Sequence, residues 1–194
     1  MGDAAKVEVK LKVGVICGGA SSEHSVSCLS AASLLKSIDR DHFEVTLIGI
    51  TQKGKWVRLK DDPSLISLKG DQLPVVPTDA PEISLSEIRA EIDIAFPVVH
   101  GTFGEDGTLQ SILDQAGIVY VGSGEIASRA GFDKGVSRKI FSDAGIPSTN
   151  TKILLMADWK IRQSKIESEI KTEFELTLIV KPSRSGSSQG VAKV

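Results

Sequence analysis

A glycine-rich loop near the start of the chain contains a carboxylate. The stretch GGASSEHSVS, residues 18–27, follows an apolar run at 11–16 and precedes apolar residues at helical spacing, so it joins a strand to a helix. It matches neither the dinucleotide-binding fingerprint nor the Walker loop. Glu23 lies inside the loop, where a carboxylate suits an ammonium group better than a phosphate. A tight turn with serine N-caps and no ligand is the alternative interpretation.

A second glycine-rich loop follows the apolar run at 92–99 and begins with a histidine. In HGTFGEDGTLQ, residues 100–110, three glycines let the backbone approach a ligand closely. His100 lies at the carboxyl end of the predicted strand, where ligands of α/β sheets bind, but a structural role is equally open. Glu105 and Asp106 could bind a cation, although we favour a role in capping the helix that begins at Thr108.

The loop KPSRSGSSQG, residues 181–190, combines basic residues with glycine and serine. It contains the G-x-S-x-G pattern of hydrolase nucleophiles, but all three histidines lie upstream and residues 191–194 look like a strand. A nucleophile elbow needs a helix after the serine and a histidine later in the chain, so a hydrolase is excluded. A plain hairpin turn would not need Lys181, Arg184 and several serines. We favour a phosphate-binding loop, in which backbone N–H groups wrap the oxygens and Lys181 supplies positive charge.

Composition and charge limit the classes of protein to which the chain can belong. Its 194 residues carry a net charge of −2, which argues against a general nucleic-acid or membrane-surface binder. Residues 125–194 are nevertheless basic, with 12 Lys and Arg against 8 Asp and Glu. Two cysteines are too few for a disulfide scaffold, and the chain shows neither a signal peptide nor a membrane span. We expect a soluble cytoplasmic protein.

The elements that position these loops alternate between strand and helix. This alternation predicts an α/β fold with a doubly wound, Rossmann-like parallel sheet. The character changes near residues 125–133, so we expect a first domain at 1–128 and the start of a second at 129–194. The predicted strands are 11–16, 43–50, 55–59, 92–99, 118–121, 149–155 and 176–181, and the predicted helices are 25–38, 108–115, 134–144 and 158–172.

Taken together, the three loops resemble those of D-alanine–D-alanine ligases of the ATP-grasp superfamily. GGASSEHSVS, HGTFGEDGTLQ and KPSRSGSSQG occur in the order of that family, and FDKGVSRKIFSDAGIP at 132–147 precedes the last of them. The resemblance covers residues 12–194. It implies that the first domain is the N-terminal α/β domain of such a ligase and that the rest begins an incomplete ATP-grasp central domain.

The resemblance also implies roles for individual residues. Glu23 would orient the ammonium group of the first D-alanine, and His100 would lie near the carboxylate of that substrate. Ser187 would belong to the hydrogen-bond network that orients the substrate, with Glu23 and Ser187 as the catalytic residues. The residues that would bind the ATP phosphates are Lys134, Lys181, Gly186 and Ser188.

The implied reaction transfers the γ-phosphoryl group of ATP to one D-alanine, and the amine of a second D-alanine then attacks the acyl phosphate. Ligases of this family are much longer, and the Mg²⁺ ligands are expected in the missing C-terminal part, with none in this chain. We therefore expect the chain to be inactive by itself, and the complete enzyme to be a homodimer without nucleic-acid or membrane partners. The alternative is a non-catalytic α/β module that binds a small molecule or another protein.

Overall fold

The structure is a computed structural model that describes residues 9–175 and 177–194. The chain divides into two compact units. The first ends at Arg129, and the second runs from Ala130 to Val194.

The first unit is built on a four-stranded sheet. Its strands are β1 (Leu11–Gly18), β2 (Phe43–Ile50), β3 (Trp56–Leu59) and β4 (Ile94–Pro97), and their order in the sheet is β3-β2-β1-β4. The central strand β1 pairs in parallel with β2 on one side and with β4 on the other. The short edge strand β3 runs antiparallel to β2.

Both faces of β1 are apolar because helices cover the sheet on both sides. Val13, Val15 and Cys17 pack in one core cluster with residues of α1 (His24–Ser37). Ile16 belongs to the opposite cluster, with residues of α2 (Leu85–Glu91) and α3 (Thr108–Ala116). Successive side chains of a strand point to opposite faces, so an apolar run without alternation indicates burial on both. The predicted α/β fold is confirmed.

The remaining helices of the first unit lie on the connections between its strands. A 3₁₀ helix, Pro63–Ile66, follows β3. It is followed by α2 (Leu85–Glu91), which begins with a capping box in which Ser84 and Glu87 exchange hydrogen bonds. After β4 comes α3 (Thr108–Ala116), which ends at Gly117 in the left-handed conformation.

Three predicted strands differ from the structure. Residues 118–121 form only an isolated parallel bridge, in which Tyr120 pairs with Ala95 of β4. Residues 149–155 form no strand, because a strand needs a neighbour for its backbone groups and no ladder is described for this segment. The predicted strand at 176–181 is reduced to Ile179–Val180, and residue 176 lies outside the described residues.

The second unit contains helices and a two-stranded hairpin. Its helices are α5 (Lys134–Asp143) and α6 (Met156–Glu173), and α6 contains a non-helical residue at Arg162. Strands β5 (Ile179–Val180) and β6 (Ala192–Lys193) pair antiparallel. The helix α4 (Glu125–Phe132) precedes α5, and the division between the two units falls within α4, after Arg129. Ile166 is the only buried residue among those that the structure describes in this unit.

Within residues 9–175 and 177–194, no helix is both long and apolar enough to cross a membrane. Cys17 and Cys28 are free thiols in the core of the first unit. The hydrogen bond with Cys28, together with burial, raises the pKa of the Cys17 thiol, so this thiol stays protonated at neutral pH.

Candidate functional site

Successive strands are added to the sheet first on one side of β1 and then on the other, so the strand order reverses beside β1. From β1 the chain moves outward to β2 and β3, and it later returns to place β4 on the other side of β1. The loops that leave the carboxyl ends of β1 and β4 therefore flank the point where the strand order reverses. In open α/β sheets this crevice is the usual ligand site. The two glycine-rich loops singled out in the sequence are these two loops.

Ser21 joins the two loops directly. Its hydroxyl donates a hydrogen bond of 2.7 Å to the carbonyl of His100 and accepts one of 3.2 Å from the N–H of Glu23. The residue that precedes α1 is Glu23, and its side chain makes no capping bond to the helix. Ser21 therefore holds the second loop against the first, which differs from the helix-capping role considered for the serines.

The carboxylate of Glu23 lies against the backbone of the second loop. Gly101 has a φ of +72°, and a Cβ at this position would lie 2.5 Å from Glu23 Oε2. Only glycine combines this conformation with so close an approach. Gly101, the residue after His100, therefore leaves space for the Glu23 carboxylate. The spacing of the two motifs in the sequence does not show this contact.

His100 is held by α1 on one side and faces a carboxylate on the other. Its Nε2 lies 2.9 Å from Ser30 Oγ, and the Ser30 hydroxyl donates to the carbonyl of Val26 at 3.0 Å. Ser30 thus links His100 to the backbone of α1. The other nitrogen, Nδ1, lies 3.6 Å from Glu105 Oε1.

One of the two acidic residues of the second loop hydrogen-bonds to the start of α3, although the N-cap position itself is Gly107. Asp106 accepts a 3.0 Å hydrogen bond from the N–H of Thr108, the first residue of α3. Glu105 faces His100 instead. Two consecutive carboxylates thus have different functions, one at the helix and one at the histidine.

His24 is a buried polar residue with both ring nitrogens in use. Nδ1 donates to the Gly19 carbonyl at 2.6 Å, and Nε2 accepts from the N–H of Val76 at 3.0 Å. This pair of contacts is compatible with the neutral Nδ1–H tautomer only. His24 therefore connects the first loop to the segment before α2.

The second unit brings Lys134 and the Lys181–Gly190 loop together. The backbone N–H of Lys134 donates to the Ser183 carbonyl at 3.0 Å, and its ammonium group donates to the Ser185 carbonyl at 2.5 Å. Ser187 and Ser188 have φ values of +48° and +56°. A 3.0 Å bond from the N–H of Gln189 to the Gly186 carbonyl closes the turn around these two serines.

The predicted residues thus fall into two groups. Glu23 and His100 belong to loops of the first unit that contact each other, and the remaining five lie in the second unit. Sequence reasoning missed Ser21 and Ser30, since isolated serines carry no distinctive pattern, and it did not predict the contacts of Asp133 with the loop at 181–190. The second group comprises Lys134, Lys181, Gly186, Ser187 and Ser188.

The side chains present fit an anionic nucleotide better than a metal ion. The ammonium groups of Lys134 and Lys181, together with the glycine and serines at 185–188, form a cationic, donor-rich set, which matches phosphate oxygens. Among the described residues there is no group of three or more His, Cys, Asp or Glu side chains that could hold a metal ion. The expectation that the Mg²⁺ ligands lie elsewhere stays a prediction.

Comparison with known proteins identifies both units. Residues 12–123 match the family described as D-ala D-ala ligase N-terminus, and residues 140–194 match D-ala D-ala ligase C-terminus. A D-alanine--D-alanine ligase of Mycolicibacterium gilvum is 38% identical over 97% of this chain and 55% of its own length. One of Rhodococcus jostii is also 38% identical, over 95% of the chain and 54% of its own length.

Solved structures show the same relationship. The D-alanine-D-alanine ligase from Coxiella burnetii has a TM-score of 0.78 and 30% identity, covering 95% of this chain and 56% of its own. The VanG D-Ala:D-Ser ligase from Enterococcus faecalis has a TM-score of 0.74 and 30% identity, covering 95% and 55%. The chain spans about half the length of the curated relatives it matches. Because one family match covers more than half of its residues and a second continues to Val194, the chain belongs to the D-alanine–D-alanine ligase family.

Proposed function

We propose that the chain is part of an ATP-dependent ligase that joins two D-alanine molecules into D-alanyl-D-alanine for peptidoglycan synthesis. The observation that carries this proposal is the contact between the two loops at the carboxyl edge of the sheet. There Glu23 lies against Gly101, beside His100, and both loops belong to the part of the chain that matches the N-terminal ligase family.

The proposed first domain, residues 1–128, binds the first D-alanine. The Glu23 carboxylate pairs with its ammonium group, and His100, whose Nε2 lies 2.9 Å from Ser30 Oγ, lies near its carboxylate. A small zwitterion needs one partner for each of its charges, which are a carboxylate for the ammonium group and a hydrogen-bond donor for the carboxylate. Ser187 completes the network that orients this substrate.

The proposed second domain, which begins at residue 129, binds the nucleotide. Lys134 and Lys181 neutralise phosphate charge, while Gly186 and Ser188 offer backbone N–H groups from the turn. ATP with Mg²⁺ supplies the phosphoryl group that activates the D-alanine carboxylate as an acyl phosphate. ADP leaves in that first step. The amine of the second D-alanine, after losing a proton from its ammonium form, then attacks the carbonyl carbon of the acyl phosphate, so that the peptide bond forms and inorganic phosphate leaves.

Further parts of the proposal concern the rest of the enzyme. The Mg²⁺ ligands are contributed by protein outside residues 1–194, so this chain is inactive by itself. The complete ligase acts in the cytoplasm as a homodimer. These statements rest on membership in the family and on the share of each relative that the chain covers.

The test uses a fusion of residues 1–194 with the part of the Mycolicibacterium gilvum ligase that the match does not cover. We expect the fusion to release phosphate from ATP only when D-alanine is present and to form D-alanyl-D-alanine, whereas the 194-residue chain alone does neither. Glu23→Gln should lower kcat/KM for D-alanine about a hundredfold, because it removes a charge-assisted pair with the ammonium group. Phosphate release and dipeptide formation are measured in parallel.

Glu44→Gln is the matched control, since Glu44 is an exposed carboxylate on β2 of the same unit. If Glu23→Gln left kcat/KM for D-alanine unchanged, Glu23 would not be part of the substrate site. A fusion that binds D-alanine but releases no phosphate would instead favour a non-catalytic binding module.

A further inference from the structure

Asp133 lies between the helix that carries Lys134 and the loop at residues 181–190. Its Oδ1 accepts hydrogen bonds from the N–H of Gly135 at 3.0 Å and of Val136 at 3.3 Å, which caps α5. The same oxygen accepts from the Ser183 hydroxyl at 2.7 Å, and Oδ2 accepts from Arg184 Nε at 2.7 Å. One carboxylate thus binds both the helix and the loop.

The neighbouring contacts of Lys134 strengthen this connection. Lys134 donates to the carbonyls of Ser183 and Ser185, through its backbone and its ammonium group respectively. Residues 183–185 are therefore bound to residues 133–134 by four hydrogen bonds, of which two involve Asp133 and two involve Lys134. We call this set of contacts the Asp133 clamp; it consists of Asp133, Lys134 and residues 183–185.

The clamp immediately precedes a turn with an unfavourable backbone. Ser187 and Ser188 both have positive φ, the arrangement of a type I′ turn, which normally selects asparagine and glycine. Residues with a Cβ keep such a conformation only where surrounding contacts hold it. On the far side of the turn, Gly190 lies close to Pro182, where a Cβ would come within 2.8 Å of the ring. The turn is therefore held at both of its ends.

The charge of Asp133 excludes a direct role in binding an anion. A carboxylate beside a phosphate site repels the ligand unless donors neutralise it. Here the Arg184 guanidinium and the Ser183 hydroxyl hold the pKa of Asp133 well below its usual range, so the group is ionised at neutral pH. The negative charge of Asp133 is balanced by Arg184 and Ser183 of the loop and by the N–H groups at the start of α5.

We propose that Asp133 is a positioning residue, which holds the 181–190 loop in register with Lys134 so that the turn at 186–189 and the Lys134 ammonium group face the same phosphate. The proposal rests on the nucleotide-binding role given above to this loop. In this arrangement the loop and the lysine are preorganised by a residue that does not touch the ligand, which lowers the cost of ordering the loop on binding.

The test separates loop anchoring from helix capping. Asp133→Ser retains a good N-cap for α5 but is too short and uncharged to pair with Arg184. In the 194-residue chain without nucleotide, amide hydrogen exchange at 183–190 should speed up at least about tenfold, because the contacts of Asp133 with the Ser183 hydroxyl and with Arg184 are both lost, while exchange within α5 stays unchanged. Arg184→Met should cause a smaller increase in the loop, because it removes only the second of these contacts. The double variant should be no worse than Asp133→Ser alone, because that variant already lacks the contact with Arg184.

Binding of ADP to the same variants, measured by calorimetry, tests the link to the ligand. We expect Asp133→Ser to weaken the affinity for ADP about tenfold, and the control Asp143→Ser to leave this affinity unchanged. Asp143 lies at the other end of α5 and pairs with Lys139 at 2.9 Å. Equal ADP affinity in Asp133→Ser and the unaltered chain would overturn the positioning role while leaving the ligase assignment intact. Failure of the unaltered chain to bind ADP would overturn the phosphate role of the loop, and the positioning role with it.

Discussion

At the scale of single residues, the polar groups of the first unit act mainly by joining segments that are distant in the chain. Ser21 connects the two glycine-rich loops, and Ser27 accepts from the N–H of Gly18 while donating to the carbonyl of Val98. His24 does the same between Gly19 and Val76. Each of these side chains satisfies buried backbone groups that no ladder reaches.

His24→Leu tests this function. The change leaves the Gly19 carbonyl and the Val76 N–H without a partner in the core, which should lower the free energy of unfolding by about 2–4 kcal/mol. His42→Leu is the control, because His42 is exposed and its ion pair with Asp39 lies at the surface, so we expect a change of at most about 0.5 kcal/mol. Urea denaturation monitored by circular dichroism measures both. Similar stability in the two variants would contradict a structural role for His24.

At the scale of elements, the loops after β1 and β4 form one unit because a glycine permits their close approach. The left-handed conformation of Gly101 disfavours a side chain at this position, and a Cβ there would force the Glu23 carboxylate to move. The helices that follow the loops, α1 and α3, pack on opposite faces of the sheet. The two loops meet at the carboxyl edge of the sheet, from which α1 and α3 run to opposite faces. Glu23 and His100 lie together at this edge.

Gly101→Ala should displace the Glu23 carboxylate. In the fusion ligase we expect the KM for D-alanine to rise at least about tenfold, together with a loss of about 1 kcal/mol of stability from the strained φ. Gly54→Ala is the matched control, since Gly54 also has a positive φ, of +81°, but nothing within 4 Å of its would-be Cβ. The control should show the same loss of stability with normal kinetics. Equal kinetics in both variants would refute the packing of Glu23 on this glycine.

At the scale of the whole chain, the two units differ in how much apolar surface they bury. The first contains two core clusters, one on each face of its sheet. In the second, many large apolar side chains are at least two-fifths exposed. They are Val136, Ile140, Phe141, Ile146, Ile153, Leu154, Leu155, Met156, Ile161, Ile179, Val180, Val191 and Val194.

This difference predicts unequal local stability in the 194-residue chain. Hydrogen exchange should show strong protection of β1, β2 and α1, and weak protection of α5 and α6, because few buried contacts oppose opening in the second unit. The chain should also bind a hydrophobic dye, and fusion to the remaining part of a relative should reduce this binding by covering apolar surface. Equal protection in both units would show that the second is stable without further protein.

The sequence predicted the elements best where its signal is local. Apolar runs at 11–16 and 43–50 are strands, and the helix predicted at 134–144 begins at Lys134. The runs at 118–121 and 149–155 have similar composition but form no ladder strand in the described residues, since pairing depends on a neighbour that the run itself does not specify. The roles of Glu23, His100, Lys134, Lys181, Gly186, Ser187 and Ser188 remain predictions.

The sequence by itself determined the family and the α/β fold, because three loop motifs in a fixed order and a strand–helix alternation are properties of the chain that need no coordinates. The tertiary structure alone decided which side chains share an environment. It placed Glu23 on Gly101, His100 on Ser30, and Asp133 between α5 and the Ser183–Ser185 segment. These partners are separated by 50 to 78 positions in the sequence, apart from those within α5. Only the folding of the backbone brings such positions into contact.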